Sequence, residues 1–259
     1  CGQSAHSTTA PAFGTTCMAN GAGSLLQVQD LKKHFVVERR IFSGKSSLLR
    51  AVDGVSFDIR HGETYALVGE SGCGKTTIGK MVLGLTDITS GTILLDGRNL
   101  TDYRRSERKG LRNKVQVIFQ DPYSALNPRK TVGRIISDPL IVQNREKAGR
   151  RARLLEVLDA VGLSKECLNR YPHEFSGGQR QRIVIARALV LQPELVICDE
   201  PVSALDVSIR SQILNLLKSL QDSFEVTYLF ISHDLSVVRY ISDRIAVMYL
   251  GKLCEIAET

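Results

Sequence analysis

The segment 69–76 constrains the fold of this chain more than any other, because it reads Gly-Glu-Ser-Gly-Cys-Gly-Lys-Thr and matches the pattern G-x-x-x-x-G-K-[ST]. It lies between an apolar strand predicted over 65–68 and a helix predicted over 76–85, whose apolar face includes Leu85. A glycine-rich turn without a ligand is the alternative, but this position between strand and helix favours a phosphate site. Glycines let backbone N–H groups surround a phosphate, Lys75 adds positive charge, and Thr76 offers a hydroxyl to Mg²⁺. The predicted nucleotide-binding residues are Gly69, Glu70, Ser71, Gly72, Cys73, Gly74, Lys75, Thr76 and Thr77.

Two carboxylates follow a second apolar strand, predicted over 195–198. Asp199 is placed to hold Mg²⁺, directly or through water, and Glu200 to polarise a water molecule for attack on a γ-phosphate. An apolar run followed by Asp-Glu is common and usually structural when it stands alone. Combined with the glycine-rich loop, it predicts an α/β nucleotide hydrolase with ligands at the carboxyl edge of its sheet.

Strand and helix patterns alternate through the C-terminal third of the chain, which favours a mainly parallel core sheet. The region 25–59 reads as strands with a loop over 39–47, and strands over 92–95 and 115–119 are predicted to form a further pair. The interval 131–191 reads as helical, which indicates an inserted helical subdomain.

Charge and cysteine content leave the class of partner open. A net charge of +7 and a pI near 9.2 fit an anionic partner, and they fit a solvated basic face equally well. The six cysteines form no C-x-x-C pair, so neither a zinc ribbon nor a disulfide framework is indicated.

Hydropathy and the N-terminal composition bear on location. Mean hydropathy is −0.05, and we find no run of about 18 apolar residues that would predict a transmembrane helix. We therefore expect a soluble protein whose role at a membrane, if it has one, depends on a partner. Residues 1–24 are rich in Ser, Thr, Ala and Gly and are expected to form a flexible linker rather than a signal peptide.

A second glycine-containing motif, over 175–179, carries the resemblance to a known family. It reads Phe-Ser-Gly-Gly-Gln before a helix predicted to begin near Arg180, and it resembles the Leu-Ser-Gly-Gly-Gln signature of the ATP-binding cassette (ABC) family, with Phe in place of Leu. The resemblance implies a P-loop NTPase (RecA-like) core with an antiparallel β subdomain and an inserted α-helical subdomain at about 121–180, within an ATPase domain over 25–259. It also implies that Ser176, Gly177, Gly178 and Gln179 contact the nucleotide of an opposite subunit.

Further positions match the family motifs. Gln120 resembles the glutamine that contacts Mg²⁺ and senses the membrane partner, which gives a predicted metal set of Thr76, Gln120 and Asp199. His233 resembles the switch histidine that acts with Glu200 and Lys75 in catalysis. Asp206 resembles the D-loop aspartate at the dimer seam. Phe35 resembles the aromatic residue that stacks on adenine, with core packing as the alternative.

The segments 119–129 and 198–208 are similar to those of the oligopeptide and dipeptide importer ATPases, specifically the second of their two ATPase types. That resemblance implies ATP and Mg²⁺ as cofactors and a peripheral position on the cytoplasmic face of the plasma membrane. The implied partners are a second ABC ATPase domain, two transmembrane permease subunits and an extracytoplasmic peptide-binding protein, with no nucleic acid.

The sequence disfavours two other classes of protein. Soluble ABC ATPases that act on nucleic acid or ribosomes carry long coiled coils, zinc cysteine pairs or two cassettes in one chain, and the sequence shows none of these patterns. A catalytically inactive partner is disfavoured because Lys75, Asp199, Glu200 and His233 are all present.

Overall fold

The computed structural model describes residues 23–37, 47–103, 107–143 and 146–259. The predicted loop over 39–47 lies outside the described residues except at its last position. The predicted linker over 1–24 also lies outside them except at its end, where Ser24 already belongs to the first strand.

One sheet of the described chain is antiparallel and has the strand order β2-β1-β4-β5. Alternating apolar residues, such as Val55, Phe57 and Ile59, turn inward from it, as expected for a sheet with one buried face. Its strands are β1 (Ser24–Val37), β2 (Ser47–Arg60), β4 (Ser90–Leu95) and β5 (Arg98–Asn99).

The second sheet has the order β10-β9-β3-β8-β7-β6 and is parallel from β9 to β6, with β10 antiparallel to β9. The mainly parallel core sheet is therefore confirmed. The predicted pairing of the strands at 92–95 and 115–119 is wrong, because each belongs to a different sheet. The strands are β3 (Thr64–Val68), β6 (Val115–Ile118), β7 (Leu195–Asp199), β8 (Thr227–Ser232), β9 (Arg244–Tyr249) and β10 (Lys252–Glu258).

Helices cover both faces of the parallel sheet. Three of them, α1 (Lys75–Val82), α7 (Val207–Phe224) and α8 (Leu235–Ile241), follow strands that carry the predicted site. The others are α2 (Arg108–Lys114), before β6, and α3 (Pro122–Ala125), α4 (Val132–Val142), α5 (Lys147–Ala160) and α6 (Gly177–Leu189), between β6 and β7. Short 3-10 turns occupy Leu100–Asp102, Lys165–Asn169 and Pro172–Glu174.

Two hydrophobic clusters lie on opposite faces of the parallel sheet. In β7, Val196 and Cys198 pack with the helices that precede and follow that strand, whereas Leu195 and Ile197 pack with α1 and the antiparallel sheet. Successive side chains of a strand point to opposite faces, so a strand between two packed layers is apolar throughout. This arrangement explains why the core strands read as continuous apolar runs in the sequence.

Two details of the helices differ from the sequence predictions. α1 ends at Val82, so Leu85 lies beyond the helix and is 64% exposed rather than buried. α6 begins at Gly177 and not near Arg180, so Gly177, Gly178 and Gln179 of the second glycine motif lie within the helix. The boundaries of the helical subdomain, about 121–180, stay a prediction. Within the described ranges, no helix combines the length and the apolar character needed to cross a membrane.

Candidate active site

The site is organised by the carboxyl edge of the parallel sheet. In the strand register Val68 of β3 lies opposite Ser232 of β8, and Ile118 of β6 lies opposite Cys198 of β7. Because parallel strands end at the same edge, the loops that follow them meet there. The residues brought to this edge are Gly69, Gln120, Glu200 and His233.

The glycine-rich loop is shaped by backbone that passes very close to it. Gly69 has φ of 152°, and a Cβ atom there would lie 2.1 Å from the carbonyl oxygen of Met248. Gly74 has φ of 113°, and a Cβ atom there would lie 2.2 Å from the carbonyl oxygen of Ala51. Both the dihedral angles and the space therefore require glycine at these two positions.

Lys75 begins α1 and closes the loop. Its side chain is only 5% exposed, and its Nζ donates hydrogen bonds to the carbonyl oxygens of Gly69 at 2.7 Å and Glu70 at 2.8 Å. Nζ also lies 3.6 Å from the sulfur of Cys73. The ammonium is thus fixed above the loop at the N-terminus of a helix, where the helix dipole also favours an anion.

Thr76 and Asp199 form the pair on which a metal site depends. The Thr76 hydroxyl donates a hydrogen bond of 3.0 Å to Oδ1 of Asp199. Burial raises the pKa of Asp199 above its ordinary value. The negative charge of Glu200 raises this pKa further, whereas the hydrogen bond from Thr76 lowers it. Among the described residues, no group of three or more His, Cys, Asp or Glu side chains could hold a metal ion alone. A hydroxyl and one carboxylate fit Mg²⁺, which takes few protein ligands and completes its shell with phosphates and water.

Glu200 is held in an unusual backbone conformation beside His233. Its φ is +51°. This left-handed conformation costs a non-glycine residue roughly 1–3 kcal/mol, and residues that adopt it cluster at functional sites. Its N–H donates to the carbonyl oxygen of Ile231 at 2.9 Å, and its Oε1 lies 2.9 Å from Nδ1 of His233. The carboxylate and the imidazole therefore face each other across the ends of β7 and β8.

Gln120 and Phe35 lie at the margin of this arrangement. Gln120 is exposed, and within the described chain no hydrogen bond joins it to Thr76 or Asp199, so its role as a metal ligand stays a prediction. Phe35 is 39% exposed, which does not fit the core-packing alternative. It pairs with Leu49 of β2, two residues before the Ala51 carbonyl that contacts the glycine-rich loop.

Phe35 offers a test of the adenine-stacking prediction. We expect Phe35→Ala to weaken ATP binding by about 1–3 kcal/mol, the usual loss when one base loses its aromatic partner. The matched control is Val36→Ala, because the side chain of the next residue in a strand points to the opposite face. Equilibrium binding of a fluorescent ATP analogue measures both; equal affinities for the two variants would contradict the stacking role.

The second glycine motif forms the N-terminus of α6. Ser176 is the N-cap: its hydroxyl accepts a hydrogen bond from the N–H of Gln179 at 3.4 Å, and the Gln179 side chain accepts one from the N–H of Ser176 at 3.1 Å. This capping box leaves Ser176 and Gln179 exposed. Phe175, the departure from the family motif, is 4% exposed and anchors the segment as its apolar character predicts.

The N-terminus of α6 abuts the segment that follows Glu200. A Cβ atom on Gly178 would lie 2.6 Å from Cγ2 of Ile209, and one on Gly177 would lie 3.7 Å from Cδ2 of Leu205. Asp206 is the N-cap residue of α7 and is exposed. The α6 motif therefore packs against Leu205 and Ile209, whereas the glycine-rich loop packs against Ala51 and Met248.

A family model described as "ABC transporter" matches residues 52–203, which is more than half of the chain. The chain belongs to the ABC transporter family. Its glycine-rich loop, acidic strand end and α6 motif are the features expected of that family, and the expected ABC nucleotide-binding fold is confirmed. The chain is accordingly an ATP-binding and ATP-hydrolysing cassette.

Relatives and solved structures agree with this membership. The oligopeptide transport ATP-binding protein AppF of Bacillus subtilis is 52% identical over 90% of this chain and 71% of its own length. The dipeptide transport ATP-binding protein DppF of Escherichia coli is 50% identical over 89% and 69%. The structure of cbiO1 from Clostridium perfringens, part of the complex cbiONQ, has a TM-score of 0.79 at 28% identity, covering 91% of this chain and 89% of that one. The dimeric post-hydrolysis cassette MJ0796, bound to ADP and Pi, has a TM-score of 0.77 at 29% identity, covering 90% and 98%.

Sequence reasoning missed three residues that contact the backbone of this ABC site: Ala51, Met248 and Gln181. Ala51 and Met248 contribute backbone carbonyls, and no side-chain pattern points to them. Gln181 is fully buried, and here a pattern was available, because it shares helical spacing with the buried residues Ile185 and Ala188. A polar residue on the apolar face of a helix indicates a specific hydrogen bond.

Proposed function

We propose that the chain is the ATP-hydrolysing subunit of an importer for oligopeptides or dipeptides, bound at the cytoplasmic face of the membrane. The observation that carries the proposal is the joint presence at one sheet edge of the Lys75 loop, the Thr76–Asp199 pair and the Glu200–His233 pair. Relatives named as peptide transport ATP-binding proteins, at about half of positions identical, supply the transported class. Their names give no support to the alternative of a soluble ATPase acting on nucleic acid or ribosomes.

Each group at the sheet edge has a proposed task in hydrolysis. The Lys75 ammonium and the N–H groups of the loop bind the phosphates. Glu200 orients a water molecule for in-line attack and accepts its proton, and His233 holds the carboxylate in place while contacting the γ-phosphate. Thr76, Asp199 and Gln120 are proposed to hold Mg²⁺, which when bound neutralises the charge that develops on the phosphates.

The α6 motif supports a reaction between two cassettes. Ser176 and Gln179 are exposed at a helix N-terminus, which suits an anion approaching from outside the chain. The related cassette MJ0796 was solved as a dimer with ADP and Pi. We propose that the capped N-terminus of α6, together with Asp206, faces the nucleotide of a second cassette across a dimer seam.

An apolar hollow beside Gln120 supports contact with a membrane permease. It has a volume of about 290 Å³ and is bordered by Leu85, 64% exposed, and Phe119, 38% exposed. Exposed apolar side chains next to a functional loop are typical of an interaction site. Because Phe119 directly precedes Gln120, a partner seated there would affect the residue proposed to sense it.

A charge at this hollow tests the contact. We expect Leu85→Asp to abolish co-purification of two multi-span permease subunits, because it buries an unpaired carboxylate in the interface, while ATP binding by the chain itself is retained. Ile256→Asp, at another partly exposed apolar side chain on β10, is the control. Mild-detergent purification with identification of the partners by mass is the measurement.

The same purification of the unaltered protein tests the proposed function. Two permeases, a second cassette and a peptide-binding protein are expected. Recovery with ribosomes or nucleic acid would discard the transport proposal. Recovery of permeases with a binding protein for another solute would discard the peptide class alone.

A further inference from the structure

Gln181 joins the α6 motif to the residue that follows Glu200. It lies on the first turns of α6, is fully buried, and donates a hydrogen bond of 2.7 Å from Nε2 to the carbonyl oxygen of Pro201. Proline has no N–H group, so the carbonyl is the one backbone group of Pro201 that can make a hydrogen bond. Gln181 thus contacts the backbone directly next to Glu200.

Stability alone gives a poor account of this amide. Within the described chain the Oε1 atom of Gln181 has no hydrogen-bond partner, although it is buried. An amide buried with half of its hydrogen-bonding groups unpaired is less favourable than an apolar side chain of similar volume. The residue therefore has to be explained by the contact that its Nε2 makes.

That contact acts on a segment under strain. Glu200 adopts a left-handed backbone conformation, and such conformations persist only where neighbouring contacts enforce them. The N–H of Glu200 donates to the carbonyl oxygen of Ile231. The carbonyl oxygen of Glu200 accepts two hydrogen bonds from Ser203, one from the N–H at 3.3 Å and one from the hydroxyl at 3.1 Å. Gln181 holds the next residue, Pro201, by its carbonyl, and this hydrogen bond comes from α6.

Other side chains of α6 hold the helix elsewhere. Arg180 donates from Nε to the Pro172 carbonyl at 2.7 Å, and Arg182 donates to the carbonyl of Val161. Both acceptors lie in the helical region between β6 and β7. Gln181 therefore differs from its two neighbours, because its acceptor belongs to the catalytic edge of the sheet.

We infer that Gln181 is a positioning residue that couples the N-terminus of α6 to the backbone of Glu200. If nucleotide binding at the Ser176 motif displaces α6, the hydrogen bond from Gln181 to Pro201 would transmit that displacement to the backbone of Glu200 and so to its carboxylate. The inference rests on the proposed function, in which Glu200 acts on water and the α6 motif faces a second cassette.

The test compares ATP turnover of the full-length protein carrying Gln181→Met with that of the parent. We expect the turnover number to fall roughly ten- to hundredfold, as for other misplaced catalytic groups, while KM for ATP stays within about twofold because Gln181 does not touch the glycine-rich loop. Arg182→Met is the matched control: it removes a comparable hydrogen bond of α6 and is expected to lower the thermal midpoint without a comparable loss of turnover. If Gln181→Met does not fold, Gln181→Asn, whose shorter amide cannot reach Pro201, replaces it.

A double variant separates this inference from the proposed function. If Gln181 acts through Glu200, Gln181→Met should cause little further loss in single-turnover rate when combined with Glu200→Gln. Fully additive losses, or normal turnover in both Gln181 variants, would overturn the inference and leave the role of Glu200 standing. Normal turnover in Glu200→Gln alone would instead remove Glu200 from the role that the proposed function gives it.

Discussion

Replacing Glu200 with glutamine should lower ATP turnover by roughly 10²–10⁴-fold, the contribution of a well-placed general base, while ATP binding is retained. The amide has nearly the shape of the carboxylate, so the backbone at φ +51° and the packing are preserved. What is lost is the group that accepts the proton of water. The Thr76–Asp199 pair and the Lys75 loop remain, so the variant should accumulate as a dimer containing uncleaved ATP.

The measurement combines steady-state phosphate release with size-exclusion chromatography in the presence of ATP. Glu225→Gln is the control, because Glu225 is also a glutamate with left-handed backbone, at φ +53°, and it lies at the far end of α7. Turnover near the parental rate in Glu200→Gln would assign the attack on the phosphate to another group. Loss of ATP binding would mean that the carboxylate is needed to form the site.

Replacing Lys75 with methionine should abolish ATP binding at concentrations that saturate the parent. Removing one partner of a buried charged contact costs about 2–5 kcal/mol, which corresponds to a loss of affinity of roughly thirtyfold to several thousandfold. The ammonium would no longer meet the phosphates. The carbonyls of Gly69 and Glu70 would also lose their donor, so the loop would be less well ordered.

Calorimetric titration with ATP measures the change, and Lys80→Met is the matched control. Lys80 lies on the same helix but is exposed, so its replacement removes the same charge without entering the loop. Equal affinities for the two variants would show that overall charge, and not the position of Nζ, governs binding. A difference of less than threefold between Lys75→Met and the parent would remove Lys75 from its proposed role.

The sequence predicted the parts of this site that depend on local pattern. Strands β3 and β7, the loop that ends at Lys75 and the two carboxylates at the end of β7 are all encoded in contiguous residues. One prediction failed because a partner distant in the chain decides the outcome. The strand at 92–95 pairs with β1 and not with the strand at 115–119, because local alternation does not specify a partner.

The start of α6 was also misjudged, for a different reason. Gly177 and Gly178 have low helix propensity, which favours a helix that begins after them, near Arg180. The capping box formed by Ser176 and Gln179, together with close packing of Gly178 on Ile209, compensates for that low propensity. The helical spacing of Gln181 indicates a buried hydrogen bond, but neither its acceptor, Pro201, nor the contact with α7 could be predicted from the order of residues.

The glycine-rich loop lies where the two sheets join. Its backbone lies against Ala51 of the antiparallel sheet and Met248 of the parallel sheet. The backbone carbonyl of Cys73 accepts a hydrogen bond from the N–H of Gly251, and the carbonyl of Gly251 accepts one from the N–H of Asp53. A ligand that binds this loop therefore also strengthens the junction of the two layers. By thermodynamic reciprocity, any partner that shifts one layer against the other must change the affinity for ATP, even if it never approaches the phosphates.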